Sequence, residues 1–394
     1  MVCELAVSAT TTAAAQGSRS YAVNTYVNDV EISPYVGYLD DFPFRVAESG
    51  GTEPATAEIA ILDKTNILSR VTDEAYVRVQ RSGVDLFRGF IRSRRPRIAT
   101  IGRIISCSAT DVSSLLDSTI VVSNQRAAGE SDSDRIKYFL ATYASQSLLS
   151  GSIGSSDLSK IQTLKASMGK QNFKYLTLRQ AIERILGSAS PSSNYYLDAS
   201  GRLHTFDSDH PENDTAPYDI NVTLSPSATE AAPENLTIDF DTQSLVNFYY
   251  VRGANAAGSG PFSNATSISL FGRRSAFIDG PDSRTASDAS DLGNAALRDT
   301  AYPVARGSFA LHAPYDARNG KSWRAGQVVT VTSPQHGISA KEYRVLKVTT
   351  EFMDGEGNRK VEIEFGGLRL RLRGGSGGNS ATNSVGASVQ GSIG

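Results

Sequence analysis

Apolar and polar residues alternate along much of this chain with the two-residue period of half-buried strands, and one such pattern is written twice. It runs first through Tyr76-Val77-Arg78-Val79-Gln80, Leu86-Phe87-Arg88-Gly89-Phe90-Ile91 and Arg103-Ile104-Ile105-Ser106-Cys107. It returns in Gln327-Val328-Val329-Thr330-Val331, Tyr343-Arg344-Val345-Leu346-Lys347-Val348 and Lys360-Val361-Glu362-Ile363-Glu364-Phe365. Each set reads as a three-strand meander. Tyr21–Val23, Val30–Ile32, Phe42–Val46 and Ala57–Leu62 add strands before the first one. Turn chemistry at Asn28-Asp29, Ser49-Gly50-Gly51, Ser82-Gly83 and Ile101-Gly102 divides them. Short strands at this spacing suit a small barrel or sandwich.

The period then changes. Ile136, Phe139, Leu140 and Tyr143 share one helical face, predicting a helix over 134–143. A second helix starts at a capping box, Thr177 with Gln180, carries the stripe Leu178, Ala181, Ile182, Ile185 and Leu186, and can end at Gly187. A hairpin follows, Asn194–Leu197 and Arg202–Phe206 around Gly201. Strands resume at Leu236–Phe240 and Val246–Val251, Gly253–Asn264 reads as loop, and a helix is predicted between about Arg284 and Thr300, stopped by Pro303.

The expected fold class is mainly β with an α+β insert between two small barrel- or sandwich-like β modules, plus peripheral domains. The organisation predicted is an amino-terminal extension (1–20), a first β module (21–118), an α+β insert (119–207), a connecting segment (208–235), a second β module (236–373) with a loop and helix excursion at about 254–301, and a Gly/Ser-rich tail (374–394). Two related modules per chain place six copies around an axis when three subunits assemble, which points to a ring.

At 394 residues the chain suits two to four domains. Hydrophobic residues at 40% and charged ones at 20% exclude wholesale disorder. A net charge of −2 gives no global field favouring nucleic acid or an anionic membrane. Cys3 and Cys107 are too few for a disulfide framework or a four-cysteine zinc site, and Cys107 reads as a small buried hydrophobe. No run reaches the roughly 18 to 20 apolar residues of a membrane helix. Met1–Gly17 lacks the basic and apolar regions of a signal peptide, so synthesis in a cytoplasm is expected.

The sequence carries no HExxH, CxxC, GxGxxG or phosphate loop. Gly374–Gly378 has the Gly-x-Ser-x-Gly letters but lies in the tail rather than between a strand and a helix. His204 reads as an exposed strand residue, His210 and His336 as loop and turn residues, and His312 as a strand end; no two have metal-ligand spacing. No catalytic, cofactor or metal residue is assigned. A pair of glycosidase carboxylates is a matter of space rather than sequence.

Two basic features stand out. Arg88, Arg92, Arg94, Arg95, Arg97 and Arg103 cluster around Pro96, and read either as a solvated strand pair with a guarded edge or as a basic rim facing an acidic neighbouring ring or passing DNA. In Leu368-Arg369-Leu370-Arg371-Leu372-Arg373 strict alternation puts the arginines on one face, of a final edge strand or of one that pairs with a neighbour. Arg92, Arg94, Arg95, Arg97, Arg369, Arg371 and Arg373 are therefore candidates for a ring or subunit interface. The aromatics Phe248-Tyr249-Tyr250 and Tyr195-Tyr196 suit packing better than a sugar platform.

The segment Lys321-Ser322-Trp323-Arg324-Ala325-Gly326-Gln327-Val328-Val329-Thr330-Val331, followed by Tyr343–Thr349, resembles the closing region of tail hub and baseplate hub proteins of tailed bacteriophages, the late-control-protein and tail-tip hub type. Val246–Gly253, Phe271-Gly272-Arg273-Arg274 and the hairpin Tyr195–Phe206 fit the same order, so the likeness covers about 21–370. The family also includes the base of type VI secretion spikes. The resemblance implies a homotrimer at the distal end of the virion tail, adapting the hexameric tube to a three-fold tip. It implies two tube-like small β-barrel domains per chain, at about 21–118 and 236–373, forming a pseudo-hexameric ring in the trimer. It implies as partners a tail tube or distal tail ring, a tip fibre or spike, the tape-measure protein and transiently passing DNA. No motif assigns a cofactor or catalysis. The chain departs from larger members in having no room for a lysozyme-like domain. A wall- or polysaccharide-degrading or binding tail protein, and a hexameric distal-tail adaptor, are the competing readings.

Overall fold

The computed structural model describes residues 23–367, apart from short stretches of which the longest are 63–70, 145–157 and 208–215. The first module holds β1 (Val23–Val27), β2 (Val30–Glu31), β3 (Phe44–Ser49), β4 (Thr56–Leu62), β5 (Tyr76–Arg81), β6 (Val84–Ala99) and β7 (Gly102–Asp111). Asn28 and Asp29 both take positive φ, 46° and 61°, which closes the β1–β2 hairpin with the twist its strands need. The predicted meander forms as β5–β6–β7. Val77, Val79, Phe87, Ile91, Ile105 and Cys107 point into one core, as their alternation requires. Cys107 is 2% exposed, and burial pushes its thiol up to about 12. A β-bulge between Ile91 and Ser93 bends the long strand β6. At Gly89 any Cβ would lie 2.1 Å from the Thr110 carbonyl oxygen, so only glycine allows β6 to approach β7 there.

The second module contains β10 (Asp219–Asn221), β11 (Glu230–Ala231), β12 (Glu234–Asp241), β16 (Val304–His312), β17 (Val328–Ser333), β18 (Ile338–Phe352) and β19 (Arg359–Gly366). Its meander is β17–β18–β19, again as predicted. The first module runs β3-β4-β7-β6-β5-β1-β2 across the sheet, and the second runs β12-β16-β19-β18-β17-β10-β11. Position for position this is one strand order used twice. The long strand β18 carries its own bulge, between Val345 and Lys347, where β6 has Ile91 and Ser93. The copies differ at one end: β1 lies antiparallel to β5, whereas β10 lies parallel to β17.

Strand β3 also pairs with β18, so the two modules merge into a single 15-stranded sheet. The expectation of two separate barrels is corrected in this respect. Among the described residues neither module closes on itself, because the strand that borders the first module lies against the second. Each module still buries its own apolar cluster, one around Phe87 and Ile59 and one around Phe309, Val345 and Phe365.

Between the modules lie α1 (Asp132–Tyr143) and α2 (Leu178–Ala189), then the hairpin β8 (Asn194–Leu197) and β9 (Leu203–Phe206). The Thr177 and Gln180 side chains exchange bonds with each other's backbone N–H, the reciprocal cap read from sequence. The helix runs two residues past Gly187, which lies inside its last turn rather than after it. All five stripe residues of α2 are fully buried.

His204 corrects an expectation, since it is buried at 6% exposure. One face of its hairpin packs on α2 through Tyr195 and Leu203, and the other meets the second module, where Arg344 lies 4.7 Å over the Phe206 ring. The His204 ring stacks on Tyr196 and its Nε2 is 3.1 Å from Asp198. Burial opposes the Asp198 charge, but bonds from His204 and Arg202 prevail and hold the carboxyl down at about 2.

A second excursion carries β13 (Phe248–Gly253), β14 (Gly260–Ser263), α3 (Ala265–Phe271), β15 (Ser275–Gly280) and α4 (Ala286–Thr300). The stretch read as loop thus contains β14, which pairs with β13 through Pro261 and Phe262. Thr285 and Asp288 cap α4 reciprocally.

Candidate interaction surface: the arginine strand and the module seam

Beyond its bulge, β6 carries Arg92, Arg94, Arg95 and Arg97, and every residue from Arg92 to Ile98 is exposed. The arginines are not equivalent. Arg92 Nη1 is 2.6 Å from Glu74, and its other nitrogens bond to the Thr110 and Ser114 hydroxyls. Arg94 pairs with Asp73 at 3.1 Å and donates to the Val71 carbonyl. These two pin the bulge to the start of β5. Among the described residues Arg95 makes no side-chain hydrogen bond or ion pair, and Ile98, at 91% exposure, extends into solvent. Arg369, Arg371 and Arg373 lie outside the described residues.

The same half of β18 is covered. There β3 lies alongside Lys347–Phe352 in antiparallel register, with Phe352 opposite Phe44 and Glu351 opposite Arg45. The two phenylalanine rings are 4.8 Å apart, and Arg45 and Glu351 form an ion pair at 2.8 Å. Arg324, just before β17, reaches across the seam to Glu48 at 2.8 Å and to the Asp85 carbonyl at 3.1 Å. The Glu48 charge raises the Arg324 guanidinium above its ordinary value. A cavity at this seam is lined by Val46, Glu48, Arg81, Trp323, Arg324 and Arg359. Burial first, then the neighbouring Arg81 charge, lowers Arg359 to about 10. The seam was not among the sequence-derived sites. Its residues come from strands hundreds of positions apart, and only the alternation of β3 and β18 hinted that each has a face to cover.

No group of three or more His, Cys, Asp or Glu able to hold a metal occurs among the described residues. No helix among them is long and apolar enough to cross a membrane. The geometry offers strand edges, charge and a seam between the modules.

No family model and no curated protein matches the sequence. Solved structures do. A tail protein from Neisseria meningitidis MC58 superposes with a TM-score of 0.63 over 90% of this chain and 99% of its own, at 16% identity. The fold is that of a tail protein. The prophage MuSo2 43 kDa tail protein from Shewanella oneidensis gives the same TM-score, 0.63, over 89% of this chain and 99% of its own, at 12% identity. The tail-protein fold thus spans both β modules and both excursions. At such low identity it is shared architecture rather than shared side chains.

Proposed function

We propose that this chain is a structural protein of a phage tail, a homotrimeric hub at the distal end of the virion tail. The observation that carries this reading is the doubled strand order within a chain that has the tail-protein fold over nine-tenths of its length. Three such chains present six tube-like modules around one axis. That number satisfies a hexameric tail tube on one face, while the single excursions of each chain leave three-fold symmetry for a fibre or spike on the other. The channel passes DNA and the end of the tape-measure protein without sequence readout, since the arginine strand carries no interleaved base-stacking aromatics.

The role is architectural, not enzymatic. The mass of the native assembly and its symmetry by electron microscopy test this. Three chains around a channel, with six similar modules facing the tube, are expected. A ring of six chains, or a chain that stays monomeric both alone and with tail tube protein, overturns the proposal. Clearing of host cell wall in a zymogram overturns the purely architectural part.

A further inference from the structure

Inside the chain, the modules join because β3, the border strand of the first, lies on the far half of β18, the long strand of the second. The doubled strand order creates one more pair of the same kind. The far half of β6 is the first module's equivalent of that half of β18, and among the described residues no strand lies beside its outer edge. Among the described residues the second module's border strand, β12, pairs with β16 only. We propose that β12 of one copy pairs antiparallel with β6 of the next, repeating between chains the seam that joins modules within one. This rests on the trimeric reading above and supplies its interface.

The register can be transferred residue by residue. The bulges align Val345 and Lys347 with Ile91 and Ser93, so Thr349 corresponds to Arg95 and Phe352 to Ile98. Arg45 faces Glu58 and Thr237 faces Ser308; Glu58 and Ser308 in turn face Ser108 and Glu364, which oppose Ser93 and Lys347 beside the bulges. Thus Arg45 corresponds to Thr237, Ala47 to Asp239 and Phe44 to Leu236. Within the chain Ala47 faces Thr349 and Phe44 faces Phe352. Between chains Asp239 therefore faces Arg95, and Leu236 faces Ile98.

The chemistry of the two strands agrees. The free half of β6 carries Arg94, Arg95 and Arg97, whereas β12 carries Glu234, Asp239 and Asp241. Arg95 and Asp239 have no side-chain partner among the described residues, and the exposed Ile98 gains an apolar neighbour. Directly opposed charges of opposite sign favour a pairing, and like charges disfavour it. Pro96 supplies no N–H, which leaves the ladder one bond short and guards this edge against other strands. Because two different edges meet, the contact is head-to-tail, and it ends in a ring when the rotation closes.

The test uses the full chain with Cys3→Ser, carrying Arg95→Cys and Asp239→Cys. Directly opposed antiparallel residues have Cα atoms about 4.5–5.5 Å apart, within the reach of a disulfide. Mild oxidation should give a ladder of covalent oligomers on a non-reducing gel, absent when Ser227→Cys replaces Asp239→Cys. Separately, Arg95→Asp or Asp239→Arg alone should raise the concentration at which the assembly half-forms by about tenfold, and the two together should restore it to within about threefold. A trimer by mass that neither cross-links nor responds to these charges overturns this interface and leaves the hub proposal standing. An unaltered chain that remains monomeric both alone and with tail tube protein overturns the hub proposal on mass alone.

Discussion

In the second β module the long bent strand β18 is covered on both edges, by β19 on one side and β3 on the other. In the first module β6 has the same bend and the same bulge, yet among the described residues it is paired past Ile91 on one edge only, with β7. The difference appears in the side chains. Phe352 of β18 is 1% exposed, whereas its counterpart Ile98 is 91% exposed. A strand order can therefore be duplicated while the burial of its residues is not, because burial depends on which border strand lies alongside.

The sharpest way to break the comparison is Phe44→Ala. Its ring is fully buried against Phe352 at the covered seam, so a loss of about 4 kcal/mol is expected in denaturant unfolding. Ile98→Ala, at the open-strand counterpart of Phe352, should stay within about 0.5 kcal/mol in the isolated chain. Equal losses at both positions would show that the edges are equally covered.

Arg324→Ala should cost about 3 kcal/mol, because it strands the Glu48 carboxylate inside the seam. Replacing both, Arg324→Met with Glu48→Leu, should recover most of that loss in the same unfolding measurement.

The third meander strands also end differently. β7 hands over to the insert at Asp111, whereas β19 ends in Gly366. Burial pushes Asp111 up to about 6 against its bonds from Ser113. The folded chain then holds this proton more tightly than the unfolded one, whose carboxyl titrates near 3.9. Stability from this group is present below about pH 4 and falls, by about 3 kcal/mol, as pH rises through 6. Asp111→Asn, which keeps the acceptor for Ser113, should flatten that slope in unfolding curves taken across the interval. The smallest effect belongs to Arg45→Ala, since the Arg45–Glu351 pair is solvated and should contribute less than about 1 kcal/mol, declining with salt.

Much of the local structure was legible. Alternation located both meanders, the positive-φ turn at Asn28-Asp29 and the capping box at Thr177 have short-range causes, and Cys107 followed the apolar face of its strand. His204 misled because alternation says that a strand has two faces, not that one of them meets water. The second face of its hairpin is buried by Arg344 and Gly326, from a module more than a hundred residues away. The candidate arginines were read as one cluster, yet Arg92 and Arg94 are tied to Glu74 and Asp73 while Arg95 is not. Spacing along a strand does not reveal which loop lies beside it.

Sequence alone determined the periods, the turns, the caps and the duplication, because each depends on residues a few positions apart and on their own backbone preferences. The tertiary structure alone decided that β3 crosses to β18, that the modules fuse into one sheet, and that among the described residues β6 and β12 keep free edges. Strand partners are chosen by long-range hydrogen bonding and by the burial of whichever faces then meet. That energy is not written in any single segment.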